Sequence, residues 1–142
     1  MKEIDEKTQQ ALLLFNRRAE AAEKEVEAAN KIKKAEKIKL GSTMDKDAQM
    51  GPLNSFKQLE IIEKNIKATI DQGGKLRCGG KRSKISNEGY YFPPTIIECQ
   101  NHNLPTAENE LFGPVLSVMK FDTEEECKKE NDGKWNERFN YA

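Results

Sequence analysis

Asn109-Glu110-Leu111-Phe112-Gly113-Pro114-Val115, running into Leu116-Ser117-Val118-Met119-Lys120-Phe121, is the stretch on which the reading of this chain turns. It sets a carboxylate and an aromatic ring two residues apart, then a Gly-Pro turn, then the best strand candidate in the sequence. Val, Leu, Val, Met and Phe suit a pleated, half-buried surface. A carboxylate and a flat apolar face at a strand entrance can hold a ribose diol and a planar ring. They can equally be a surface Glu110 and a core Phe112 flanking a turn, and from these residues alone the plainer reading is favoured.

The chain around this stretch has 142 residues, room for one domain. Only 36% of them are apolar and 34% are charged, so the core must be modest. Twenty-four basic and 24 acidic side chains cancel, and no global field steers the chain to nucleic acid or anionic lipid. No apolar run approaches the roughly 20 residues of a membrane span. The charged segment 1–7 lacks the apolar core of a secretory signal. Three cysteines, an odd and low number, fit free thiols in a reducing compartment, and a cytoplasmic location is expected.

Upstream, residues 5–39 read as one long helix: they contain neither Gly nor Pro and are dominated by Ala, Glu and Lys. Leu12, Phe15, Ala19, Ala22, Val26 and Ala29 recur at alternating spacings of three and four, a short heptad-like seam with a mostly alanine core. Packing on its own domain is the first reading of that seam and self-association the second. The lysines near its end suit the negative pole of a helix dipole better than a nucleic-acid patch. Gly41 is expected to cap this helix. After a polar loop, Asn54 or Ser55 caps a second helix whose stripe is Leu59, Ile62, Ile66 and Ile70, widened by Ile61, and ended by Gly73-Gly74. Short strands are predicted at 75–78, 90–92, 95–98 and 115–121, with Pro93-Pro94 limiting pairing between the second and third. Residues 81–89 read as a polar hairpin or loop, and 100–106 as a loop. Thr123 caps a last helix from Glu124 onward.

Tests for chemistry eliminate most candidates. In 73–83, Gly74 and Gly79 have phosphate-loop spacing, but Gly80 stands where that loop needs Lys. Cys99 and His102 make half a metal site, with no second Cys/His pair to complete it. No surroundings mark Cys78, Cys99 or Cys127 as a nucleophile. Unaided, these patterns define an α and β domain and nothing finer.

A set of short blocks carries more. Lys37-Ile38-Lys39-Leu40-Gly41, Met50-Gly51-Pro52-Leu53, Gly79-Gly80, Gly89-Tyr90-Tyr91-Phe92-Pro93-Pro94-Thr95 and Glu110-Leu111-Phe112-Gly113-Pro114-Val115 stand in the order found in NAD(P)-dependent aldehyde dehydrogenases. Phe121-Asp122-Thr123-Glu124-Glu125-Glu126 extends the resemblance, which covers roughly residues 31–132. It implies an α/β fold: part of an aldehyde-dehydrogenase-like catalytic domain, a short mixed sheet with flanking helices, preceded by the long N-terminal helix. The implied division is 1–40 helix, 41–132 catalytic-domain-like segment and 133–142 unassigned tail.

By that likeness Glu110 holds the ribose hydroxyls of the nicotinamide half of NAD or NADP, and Phe112 packs near the nicotinamide ring. Gln58 matches a position that in some members lies near the adenosine ribose. The family's reaction begins with thiolate attack on the aldehyde carbon, followed by hydride transfer and thioester hydrolysis. Its nucleophilic cysteine precedes the helix matching residues 28–40, where this chain has none. The general-base glutamate, the oxyanion-hole asparagine and the dinucleotide-binding domain have no counterpart either. The expectation is therefore a fragment of an aldehyde dehydrogenase, inactive alone. The rival is a non-enzymatic module whose long helix mediates self-association or pairing with a full-length aldehyde dehydrogenase.

Overall fold

The structure, a computed structural model, describes residues 6–85 and 89–126. Its contacts divide into two compact units, Met1–Lys37 and Ile38–Ala142. The first is the helix α1 (Glu6–Glu36), which buries none of its residues. It stops short of the expected end, and Gly41 is not its cap. Leu40 instead forms a parallel bridge to Met50, and the Gly41 amide donates to the Met50 carbonyl at 3.1 Å. A Cβ on Gly41 would lie 2.9 Å from Ala48 Cβ, so this glycine serves a close chain approach, not a helix terminus.

The second unit is built on α2 (Phe56–Asp71). Ser55 opens it in extended conformation, its hydroxyl accepting the Gln58 amide at 3.2 Å. Leu59, Ile62 and Ile66 point inward as the stripe predicts. Ile70 does not: it is 42% exposed, and Ile61 also faces out. The helical step from Ile66 carries the buried face to Thr69, whose hydroxyl is satisfied by Thr106. The helix closes on a Schellman turn, with Gly74 donating to Thr69 and a left-handed Gly73 (φ 98°) donating to Ile70.

Three strands follow: β1 (Lys75–Cys78), β2 (Thr95–Glu98) and β3 (Val115–Val118), in the order β1-β2-β3. β1 runs antiparallel to β2, with a bulge between Leu76 and Cys78. β2 runs parallel to β3, and the connection between them carries a short helix, α3 (Pro105–Glu108). That turn starts inside the segment expected to be loop, with Pro105 supplying the fixed φ of a first helical position. Residues 90–92 are not a strand. Tyr90 makes a single bridge to Leu53, while Phe92 plugs the core beside Leu59, Ile62 and Ile66. Pro93-Pro94 has no amide to donate to a ladder, which explains the break. β3 ends three residues earlier than predicted. Thr123 accepts the Glu126 amide at 3.1 Å and so caps a helical turn; the rest of that expected helix and the tail lie outside the described residues.

Two apolar clusters hold the unit together. Leu59, Ile62, Ile66 and Phe92 pack with Leu53 and Val115; Ile97, Cys99 and Leu104 pack with Ala107 and Met119. This short mixed sheet with helices beside it is the architecture the motif reading predicts.

Candidate functional site

The loop between α3 and β3 is fastened at three points. At its start, the Asn109 amide donates to Pro105 at 3.0 Å, and the Asn109 side chain donates to Asn65 Oδ1 on α2 at 3.0 Å. In its middle, Gly113 lies against Ile62 of α2, so closely that a Cβ would overlap Ile62 Cδ1. At its end, the Pro114 carbonyl accepts the Thr95 amide at 2.8 Å, joining the loop to the first residue of β2. Between these points Gly113 donates to Leu111 and Val115 donates to Gly113, two successive three-residue turns centred on Phe112 and Pro114.

The consequence is a fixed backbone presenting two outward side chains. Phe112 is 72% exposed, so the core reading of this ring is wrong. Glu110 is exposed, and among the described residues no hydrogen bond or ion pair engages its carboxylate. A charged acceptor and an aromatic face, both held by a loop fastened to α2, α3 and β2, form a preorganised surface for a ligand with hydroxyl donors and a flat ring. These two groups fit the ribose and nicotinamide that the motif implies.

Gln58 is half-buried near the start of α2. It shares a helix face with Ile62 and Asn65, at i, i+4 and i+7, which is the face the loop touches. Gln58 thus lies on the face of α2 that meets the loop carrying Glu110 and Phe112. The two residues that sequence reasoning misses are Asn65 and Asn109, which position the loop. The available signal was a polar Asn65 interrupting the edge of the apolar stripe.

The other candidates do not assemble. The Gly80 amide in the glycine-rich turn already donates to Thr95 Oγ1 at 2.9 Å. Cys78 and Cys99 are buried thiols, Cys78 beside the Pro94 carbonyl at 3.7 Å and Cys99 beside Thr106 Oγ1 at 3.6 Å. Among the described residues no group of three or more His, Cys, Asp or Glu side chains converges as a metal site. Among them, too, no helix is long and apolar enough to cross a membrane.

This fold and motif define a part of a dehydrogenase catalytic domain. The model of the aldehyde dehydrogenase family matches residues 18–134, and the chain belongs to that family. The match begins within α1, upstream of the first motif block. A (Z)-2-((N-methylformamido)methylene)-5-hydroxybutyrolactone dehydrogenase of Acinetobacter baylyi is 40% identical over 95 residues, 66% of this chain and 19% of that protein. A betaine aldehyde dehydrogenase of Cereibacter sphaeroides is 39% identical over 104 residues, 73% of this chain and 21% of its own. Among solved structures, the NAD+ complex of a Bacillus cereus aldehyde dehydrogenase superposes with a TM-score of 0.69 at 33% identity, covering 75% of this chain and 21% of that one. A Staphylococcus aureus betaine aldehyde dehydrogenase in complex with NAD+ gives 0.65 at 34% identity, covering 70% and 20%. The chain spans about a fifth of the length of these relatives.

Proposed function

We propose that the loop 109–114 is the nicotinamide-side grip of an aldehyde dehydrogenase catalytic domain. The Glu110 carboxylate accepts hydrogen bonds from the two ribose hydroxyls, since an ionised acceptor binds such donors strongly. The Phe112 ring gives the nicotinamide an apolar face. Gln58, on the same side of α2, approaches the adenosine ribose. When bound, NAD(P)+ supplies the hydride acceptor for oxidation of an aldehyde to a carboxylic acid. The loop chooses between NAD and NADP no more than its sequence does, because neither Glu110 nor Phe112 addresses the 2′ position of the adenosine.

The observation that carries this reading is an exposed carboxylate, unengaged among the described residues, on a triply fastened loop, two residues from an exposed ring. The chain supplies a cofactor contact and, among the described residues, no attacking sulfur. A reactive thiol needs access and a polar, charge-stabilised setting, whereas Cys78 and Cys99 are buried. The remainder of such a catalytic domain, including one on a full-length aldehyde dehydrogenase, is the partner this role calls for.

The test is spectrophotometric. Purified chain incubated with NAD+ or NADP+ and a panel of short aldehydes gives no reduced nicotinamide. Turnover abolished by Cys78→Ser, or turnover that survives replacement of all three cysteines, contradicts the assignment.

A further inference from the structure

We propose that Asn65 is a positioning residue for Glu110, acting through Asn109, and that Phe112 is positioned by a separate anchor. The inference rests on the reading of loop 109–114 as the nicotinamide-side grip.

The hydrogen bonds run in one direction. Asn65 Nδ2 donates to the Ile61 carbonyl, one helical turn back, at 2.8 Å. Only the NH2 end of a carboxamide can donate to a carbonyl, so Oδ1 faces the other way. That oxygen accepts Asn109 Nδ2 at 3.0 Å. One backbone carbonyl of α2 therefore fixes the orientation of two carboxamides in series. Asn109 is held a second time through its backbone amide, which donates to Pro105 at 3.0 Å as the chain leaves α3 in extended conformation. Anchors on two helices thus hold residue 109, and Glu110 comes next.

Phe112 has its own anchor. Gly113, the residue after it, is seated on Ile62, and the Pro114 carbonyl is tied to Thr95. Glu110, Leu111 and Phe112 make no hydrogen bond to another element among the described residues. The carboxylate and the ring therefore each depend on the fastening beside them. Cutting the Asn65–Asn109 bond loosens Glu110 and leaves Phe112 in place. A double-mutant cycle separates the two dependences.

Amide-shift titration of the labelled full chain with nicotinamide mononucleotide measures the effect, with urea midpoints monitoring the fold. Leu is close to Asn in size and a better helix former, so Asn65→Leu retains the fold. It raises the dissociation constant about fivefold, as loss of one neutral hydrogen bond does. Glu110→Gln raises it about tenfold, because the charged acceptor is lost. Adding Asn65→Leu to Glu110→Gln changes it less than about twofold, since the group that Asn65 aims is already gone. Added to Phe112→Leu, the same change takes its full effect. Asn65→Asp keeps the oxygen that Asn109 reaches and loses less than Asn65→Leu. Undiminished affinity in Asn65→Leu, or its full loss repeated on top of Glu110→Gln, overturns the positioning role and leaves the grip standing. A parent chain whose residues 109–113 do not respond to the nucleotide overturns both.

Discussion

Gly113 and Ile62 are in contact across the gap between the α3–β3 loop and α2, with no space for even one added carbon between them. Gly113 does not have a positive φ, so its identity is dictated by this approach and not by backbone conformation. The Glu-x-Phe-Gly-Pro element is therefore a docking device as much as a display. Its glycine seats the loop on the helix, and that seating aims Glu110 and Phe112.

Gly113→Ala tests this directly. The overlap with Ile62 Cδ1 costs about 1–3 kcal/mol of folding stability, as overpacking of a tight contact does. Combining it with Ile62→Val removes the colliding atom. The double variant is then less destabilised than the sum of the two single ones, and urea midpoints at unchanged m-value measure the coupling.

Thr69 holds α2 to α3 through hydrogen bonds in both directions. Its hydroxyl lies 3.2 Å from Thr106 Oγ1 and accepts the Thr106 amide at 3.0 Å, in a site sealed from solvent. Thr69→Val keeps the shape and strands that amide, costing about 1–3 kcal/mol in chemical denaturation. Thr69→Ser keeps the hydroxyl and loses only a methyl group, so it costs less.

Glu98 on β2 pairs with Arg77, the residue carried by the β1 bulge. The Arg77 hydrogen bond, with help from the charges of Arg77, Lys120 and Lys75, outweighs partial burial and holds the Glu98 carboxyl below the usual carboxylate range. A carboxylate depressed in the folded state adds stability above its unfolded pKa and loses that contribution as pH falls through the folded value. Glu98→Gln therefore costs about 0.5–1 kcal/mol at neutral pH. The difference from the parent closes as the solution is acidified below the carboxylate range. Thermal melts of both proteins from neutral to acid pH show whether the curves converge.

Much of this was legible in the sequence because local rules and packing agree. The serine cap, the Leu59-Ile62-Ile66 stripe and the Gly73-Gly74 stop need no tertiary information, and α2 appears where they put it. Sequence reading fails where a distant neighbour decides. Ile70 looks like the next member of the stripe, but Thr106 is placed to satisfy Thr69, and the polar residue takes the inward position. Gly41 looks like a helix cap until Ala48 is seen beside it. Phe92 has strand chemistry, yet its two following prolines deny it a ladder and the core claims it instead. At the site, the motif supplied Glu110 and Phe112, but the loop is seated by Asn65 and Ile62, residues separated from it in sequence and joined to it only by folding.

The central claim is that Glu110 and Phe112 together meet the nicotinamide half of the cofactor. Titration of the isotopically labelled chain with NAD+ to millimolar concentration, followed by amide chemical shifts, tests it most directly. Shifts confined to residues 109–113 and the first turns of α2 are predicted, and Glu110→Gln, which leaves the urea midpoint unchanged, reduces them several-fold. Shifts scattered elsewhere, none at all, or an undiminished response in Glu110→Gln would contradict the account.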